Sequence, residues 1–209
     1  MILILIYLVL ISGFLPLLIH YFSKTKLDYH NRILFAWFVT KFTADICVYI
    51  YSKYYHGNTF PIFHISVLIE NLLLIAYFNS FNLISRKFKL ILFLFPFVSF
   101  IFETCIYHSI FDLNVISILT YNISIALLMM QLLLSSYHAF IRNDFILIAS
   151  LFLFHSISIV YFSVENINRF NEDLVIIVFP FYASFVVVLN IYYAYFLWSR
   201  SKKSSSLKD

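Results

Sequence analysis

Long apolar runs, broken by short polar clusters, set the rhythm of this chain. Seven of them are predicted as helices, near residues 2–22, 33–52, 61–80, 89–108, 113–138, 145–163 and 174–198. At 1.5 Å per residue, about 20 residues cross the roughly 30 Å hydrocarbon core of a bilayer, and these runs have that length. Residues 113–141 and 174–199 contain no Asp, Glu, Lys or Arg. The tightest break is SIFD, residues 109–112, between the fourth and fifth runs. Barrel strands are excluded by pattern: they need only about 10 alternating residues. These runs are continuously apolar and far longer, and Gly occurs only as Gly13 and Gly57. The pattern predicts an all-α integral membrane protein with seven transmembrane helices. One transmembrane domain covers residues 1–199, and residues 200–209 form a basic, flexible cytoplasmic tail.

Composition supports the same solvent. Of 209 residues, 63% are hydrophobic and 11% charged, against about 25% charged in soluble domains. That leaves too little polar surface to coat a water-exposed globule. The net charge of +4 matters through its distribution. Lys24, Lys26, Arg32, Arg86, Lys87, Lys89, Arg142, Arg200, Lys202, Lys203 and Lys208 fall on one side of the predicted topology. Only Lys53 and Arg169 fall on the other, with Lys41 inside a span. Cytoplasmic loops collect Lys and Arg, so the N-terminus is expected outside and the C-terminus inside. The first run, MILILIYLVLISGFLPLLIH, lacks a basic leader and a small-x-small cleavage site. It reads as a retained helix that doubles as the insertion signal. No basic stripe carries an aromatic platform, which argues against nucleic acid as a partner. Cys47 and Cys105 lie in apolar runs and read as small hydrophobes; a bond between them stays open.

The chemistry lies in polar groups inside the spans. Ionisable side chains are costly in hydrocarbon, so they face the bundle interior and pair. The candidate polar core or ligand site comprises Lys41 and Asp45 in span two, His64, Glu70 and Asn71 in span three, Glu103 in span four, Asn122 in span five and His155 in span six. Lys41 and Asp45 are i,i+4 partners and predict an ion pair. Depth places Asp45, His64 and Glu103 in one outer layer, and Glu70, Asn71, Asn122 and His155 nearer the midplane. His64 and Asn71, seven apart, share one edge of their helix, and Glu70 lies about 120° around. Span three therefore addresses two neighbours and reads as the central contact helix. Ser117, Tyr121, Ser124, Gln131, Ser135 and His138 form one polar stripe on span five, expected to face inward. Interhelical hydrogen bonding accounts for many such groups. For His64, Glu70, Glu103 and His155, the separate helices point to a common pocket. His and carboxylates can also bind zinc, but HExxH and close His/Cys spacings are absent, and no motif identifies a cofactor. Tyr49, Tyr51, Tyr54 and Tyr55 read as one interfacial belt, and Tyr192, Tyr193, Tyr195 and Trp198 as the other.

Span count and orientation are similar to those of rhodopsins and other seven-helix receptors. Retinal binding is disfavoured, because span seven has no lysine and Lys41 is in the wrong helix. The segment PIFHISVLIENLLLIAYF, through Pro61, His64 and Glu70, resembles a pattern of small seven-helix membrane proteins of Bacteroidota. The Ile-, Phe-, Asn- and Lys-rich composition suits that origin. The resemblance implies a multi-pass protein of a bacterial plasma (inner) membrane and carries no established activity. Three classes stay open. One is a sensory or regulatory module that binds a small ligand in a polar pocket. Another is a small transporter or ion-translocating protein, although no internal repeat is visible. The last is a membrane-embedded, metal-dependent lipid hydrolase. A purely structural subunit is the remaining reading. The expected partners are membrane lipids and a cytoplasmic or membrane signalling protein or a second copy of the chain.

Overall fold

The computed structural model describes residues 2–23, 27–55, 59–79, 85–107, 115–135, 142–167 and 173–205. These residues form seven helices: α1 (Ile2–Ser23), α2 (Tyr29–Ile50), α3 (Phe60–Asn79), α4 (Arg86–Phe102), α5 (Val115–Ser135), α6 (Arg142–Ile167) and α7 (Asp173–Ser205). Two are prolonged by a π-helical turn, α2 through Tyr51–Tyr55 and α4 through Glu103–Tyr107. Six helices are long and apolar enough to cross a membrane; the apolar stretch of α4, Leu90–Cys105, is shorter. The predicted break at 109–112, and the stripe residue His138, lie outside the described residues. The helix of span seven runs on to Ser205, so the expected tail, residues 200–209, begins as a continuation of that helix. No Gly or Pro lies between Arg200 and Ser205 to break a helix.

Local signals set the helix starts. Asp28 Oδ1 accepts from the Asn31 N–H at 2.8 Å and caps α2. Ser85 Oγ accepts from the Phe88 N–H at 3.3 Å at the start of α4. Such caps satisfy backbone donors that the first turn leaves free. Pro61 falls in the first turn of α3, where no intrahelical donor is lost.

The helices close a ring in chain order. α1 packs extensively on α7, α2 on α3, α4 on α5, α5 on α6 and α6 on α7, with lighter contact of α1 with α2 and of α3 with α4 and α5. Successive helices run antiparallel. Tyr7, Phe14 and His20 of α1 meet Tyr49, Phe42 and Phe35 of α2, and Tyr161 of α6 meets Phe179 of α7. Arg32, Lys87 and Arg200 therefore fall at one end of the bundle and Lys53 at the other. The central helix is α5, not α3: Ser117, Ile118, Tyr121, Asn122, Ser124, Ile125, Leu128, Met129 and Leu132 are all buried. Two thirds of its apolar span is buried against one third for α3; the outward edge of α5 carries Ile116, Ile123, Met130 and Leu134, and that of α3 carries Ile65, Ile69 and Leu72. The outward faces are apolar, as with Ile11 and Leu18 on α1, Phe97 and Ile101 on α4, and Phe181 and Val188 on α7. Water does not tolerate so continuous an apolar exterior, and lipid does. Cys47 and Cys105 are free thiols on that exterior. Tyr51, Tyr54, Tyr55, Tyr195 and Trp198 are exposed, but Tyr193 is buried in the core, where its ring packs on Phe38 and Phe196.

The core is densest toward the Arg32 end. Leu34, Phe38, Leu128, Met129, Leu132, Leu147, Leu151, Phe196 and Leu197 form one buried cluster there. Where α1 and α2 touch, Gly13 lies directly against the Phe42 ring, and a Cβ would overlap it. That ring is stacked on Phe38 and edge-on to Phe14, so it has little room to move. Ala in place of Gly gains up to about 1 kcal/mol of helix propensity, but overpacking costs about 1–3 kcal/mol. Gly13→Ala is therefore expected to lower the apparent melting temperature in detergent; an unchanged or raised value would show that α1 and α2 do not approach this closely.

Candidate functional site

Two cavities share a wall at the Lys53 end. The larger, about 620 Å³, lies between the first half of α1, the second half of α2 and the first half of α7. Leu3, Ile6, Val9, Leu10, Val48 and Phe179 give it apolar sides. It exists because α1 leans on α7 and touches α2 only lightly. Tyr7, Tyr49 and Lys53 form its rim. The Tyr49 hydroxyl donates to the Tyr7 hydroxyl at 3.0 Å, and Lys53 Nζ donates to the Tyr49 oxygen at 3.1 Å.

The wall is the Lys41–Asp45 pair, with Val48 and Tyr182, which line both cavities. Lys41 Nζ donates to Asp45 Oδ2 at 3.3 Å, as their spacing predicts. The ammonium also sits 5.4 Å from the centre of the Phe154 ring, a cation–π contact. Behind the pair lies a second cavity of about 40 Å³, lined by Ser66, Glu70, Tyr121, Asn122 and Ser158 among others. That volume and polarity suit an ordered water. The buried Glu70 carboxyl is in electrostatic reach of Lys41 and Asp45. The Trp37 indole N–H and the Tyr121 hydroxyl approach it closely enough to act on its charge. Neither closes a hydrogen bond of ordinary geometry, and both polar atoms are buried without a partner.

Asn122 anchors the α5–α6 side. Its Nδ2 donates to the Ile118 carbonyl at 2.9 Å, which leaves Oδ1 to accept from His155 Nδ1 at 2.8 Å. An amide oxygen only accepts, so Nδ1 carries the imidazole proton. Nε2 then presents a lone pair, fully buried and unpartnered. The His155 ring is packed edge-on against Tyr121 and Phe154 and 6.3 Å from Trp37.

The remaining candidates go elsewhere. His64 and Asn71 line a gap of about 10 Å³ toward α4 and α5, with Pro96, Phe100, Ser117 and Tyr121. Glu103 is a helix cap: Oε1 accepts from the Ile116 N–H at 3.1 Å and Oε2 from the Ser117 N–H at 2.7 Å. A carboxylate on two free amides at a helix start is favoured by hydrogen bonding and by the dipole. The expected common pocket of His64, Glu70, Glu103 and His155 is thus corrected. Their helices separate them, and Glu70 is joined instead by Lys41, Asp45 and Asn122. His64 and Asn71 face α4 and α5, and Glu70 faces α2 and α5, with Tyr121 of α5 reaching both edges of α3. Asn190 joins α7 to α1, donating to Ser12 Oγ at 2.9 Å. Among the described residues, no three His, Cys, Asp or Glu side chains converge as metal ligands.

Several participants escaped the sequence reading. Trp37 was legible, since it precedes Lys41 by four residues and shares its face. Tyr7, Tyr49 and Tyr182 carried no signal, because a cavity-lining tyrosine and an interfacial one look alike in sequence. Together, fold and site define a helical-bundle integral membrane protein with an apolar cavity floored by an ion pair. Compared with protein-family models, curated proteins and solved structures, the chain matches none.

The Glu103 cap generates a stability test. Loss of two charge-assisted bonds at a buried helix start costs about 2–4 kcal/mol. Glu103→Ala is expected to lower the apparent melting temperature by roughly 5–10 °C, and Glu103→Gln by less, since one acceptor survives. Equal melting of all three chains would show that Glu103 does not cap α5.

Proposed function

We propose that the chain is a seven-span protein of a bacterial plasma membrane that binds a small, largely apolar ligand and acts as a sensory or regulatory module. The observation that carries this reading is the 620 Å³ cavity, a size that suits a small-molecule site. Apolar walls ending on an ion pair provide both burial and orientation. α4 and its π-helical turn together run from Arg86 to Tyr107, about 30 Å of helix, which supports a seventh span. Arg32, Lys87 and Arg200 at the end opposite Lys53 support a cytoplasmic C-terminus. Their side is then available to a signalling partner, and the cavity opens toward the outer half of the membrane.

Translocation is the weaker reading. The shared wall continues ionisable groups inward from the large cavity to Glu70. Beyond Glu70, toward Arg32, the bundle is filled by the buried cluster around Leu34, Met129, Leu151 and Phe196. A site entered from one side and stopped by a packed half suits binding. Hydrolysis would need converging metal ligands or an activated nucleophile, and the described residues offer no such metal-ligand group.

Cavity-filling variants test the reading. Native mass spectrometry of the purified protein is expected to show a retained small molecule, reduced about tenfold or more in Val48→Phe and Leu10→Phe chains that melt normally. Equal occupancy in all three would remove the cavity as the binding site. For the topology, a cysteine at Lys53 in a Cys47→Ser, Cys105→Ser chain is expected to react with an impermeant maleimide on intact cells, and one at Lys203 only after lysis. The reverse pattern would invert the orientation.

A further inference from the structure

The wall between the two cavities is unevenly presented. Asp45 is 38% exposed and Lys41 only 15%. The ammonium is held back over Phe154, while the carboxylate uses only Oδ2 toward Lys41 and makes no other hydrogen bond among the described residues. A ligand reaching the floor of the large cavity thus meets an acceptor, not a donor. Charge points the same way. The groups facing this wall are Lys41 and Asp45 from α2, Glu70 from α3, Tyr121 from α5, His155 from α6 and Tyr182 from α7. That is two carboxyl groups and one ammonium, beside a neutral imidazole and two phenols. In low dielectric, a buried carboxyl without a cation of its own holds a proton; a cation arriving at Asp45 would leave Lys41 free to stabilise Glu70 as the carboxylate.

Resting on the ligand-binding reading above, we propose that the cavity takes an apolar amine, a primary or secondary ammonium on a hydrocarbon body. The ammonium donates to the free side of Asp45, and the hydrocarbon lies along Leu10, Val48, Ile6 and Phe179. With the amine in place, Lys41 and the ligand face Asp45 and Glu70 as two cations against two carboxylates. Lys41 is then shared between the two acids across the small cavity. Trp37, whose indole N–H approaches Glu70, reports that redistribution.

The test uses the full chain with Trp198→Phe, which leaves Trp37 as the single tryptophan, in nanodiscs of neutral phosphatidylcholine. Octylamine, octanol and octanoate are titrated, with the Val48→Phe chain as the measure of simple partitioning into lipid. Octylamine is expected to shift Trp37 emission and to bind about tenfold tighter than the other two. Asp45→Asn and Glu70→Gln are each expected to abolish that preference. If octanol or octanoate binds as tightly as octylamine, the amine assignment fails while the cavity stands. If Glu70→Gln and Asp45→Asn both keep the preference, the charge argument fails. If no probe exceeds the Val48→Phe background, the cavity reading fails as well. Should Asp45→Asn not fold, the ligand series and Glu70→Gln decide alone, since Glu70 holds no ordinary hydrogen bond whose loss would unfold the bundle.

Discussion

A charge in hydrocarbon must find an opposite charge or a hydrogen bond, and the bundle is organised around the place where Lys41 finds Asp45. The two residues lie one turn apart on α2, so the pair needs no other helix to form. It does need shielding. Phe154 from α6 covers the ammonium, Tyr182 from α7 flanks it, and Glu70 from α3 stands behind. A single pair thus draws in three other helices of the ring. Because α1 does not close over it, the same pair becomes the floor of a cavity.

That arrangement divides the bundle by depth. Toward Lys53, polar groups occupy the interior and packing is loose enough for two cavities. Toward Arg32, the interior is aliphatic and aromatic, with Leu74, Phe78, Met129, Leu132 and Phe196 almost wholly buried. Lipid cannot drive helices together by excluding water between them, so close packing and buried hydrogen bonds must do so. The tight half supplies that packing, and the Asn190–Ser12 and Asn122–His155 bonds fasten the rest. Rigidity at one end lets the other remain open.

Much of this was legible in the sequence because lipid makes helices long, apolar and punctuated by charge. The boundaries of α1 and α3 were read to within a residue, and Lys41–Asp45 followed from spacing alone. What escaped depends on relations that spacing does not encode. Glu103 pairs with backbone amides at the start of α5, and a donor that every residue carries leaves no mark in sequence. The large cavity depends on α1 leaning toward α7, a choice made by whole helix faces. Tyr193 and Tyr195 differ by two residues and read as one belt, yet the roughly half turn between them buries the first and exposes the second. α3 reads as central because its polar residues are conspicuous, but α5, quieter in charge, is the more deeply buried helix.

The polar atoms that stay unpartnered show where the bundle departs from simple interhelical bonding. Trp37 Nε1 and Tyr121 Oη approach Glu70, and His155 Nε2 lies against Trp37 and Tyr121; none of the three closes a protein hydrogen bond, as is also true of Gln131 Oε1 and Tyr193 Oη farther along the bundle. A bundle held only by polar contacts would satisfy them, since an orphaned buried group costs about 1–3 kcal/mol. Asn122, close by, is fully used on both ends of its amide. The contrast separates two kinds of polar residue in one layer. Asn122, Asn190 and Glu103 hold helices together, whereas the groups around Glu70 retain unused hydrogen-bonding capacity next to a cavity.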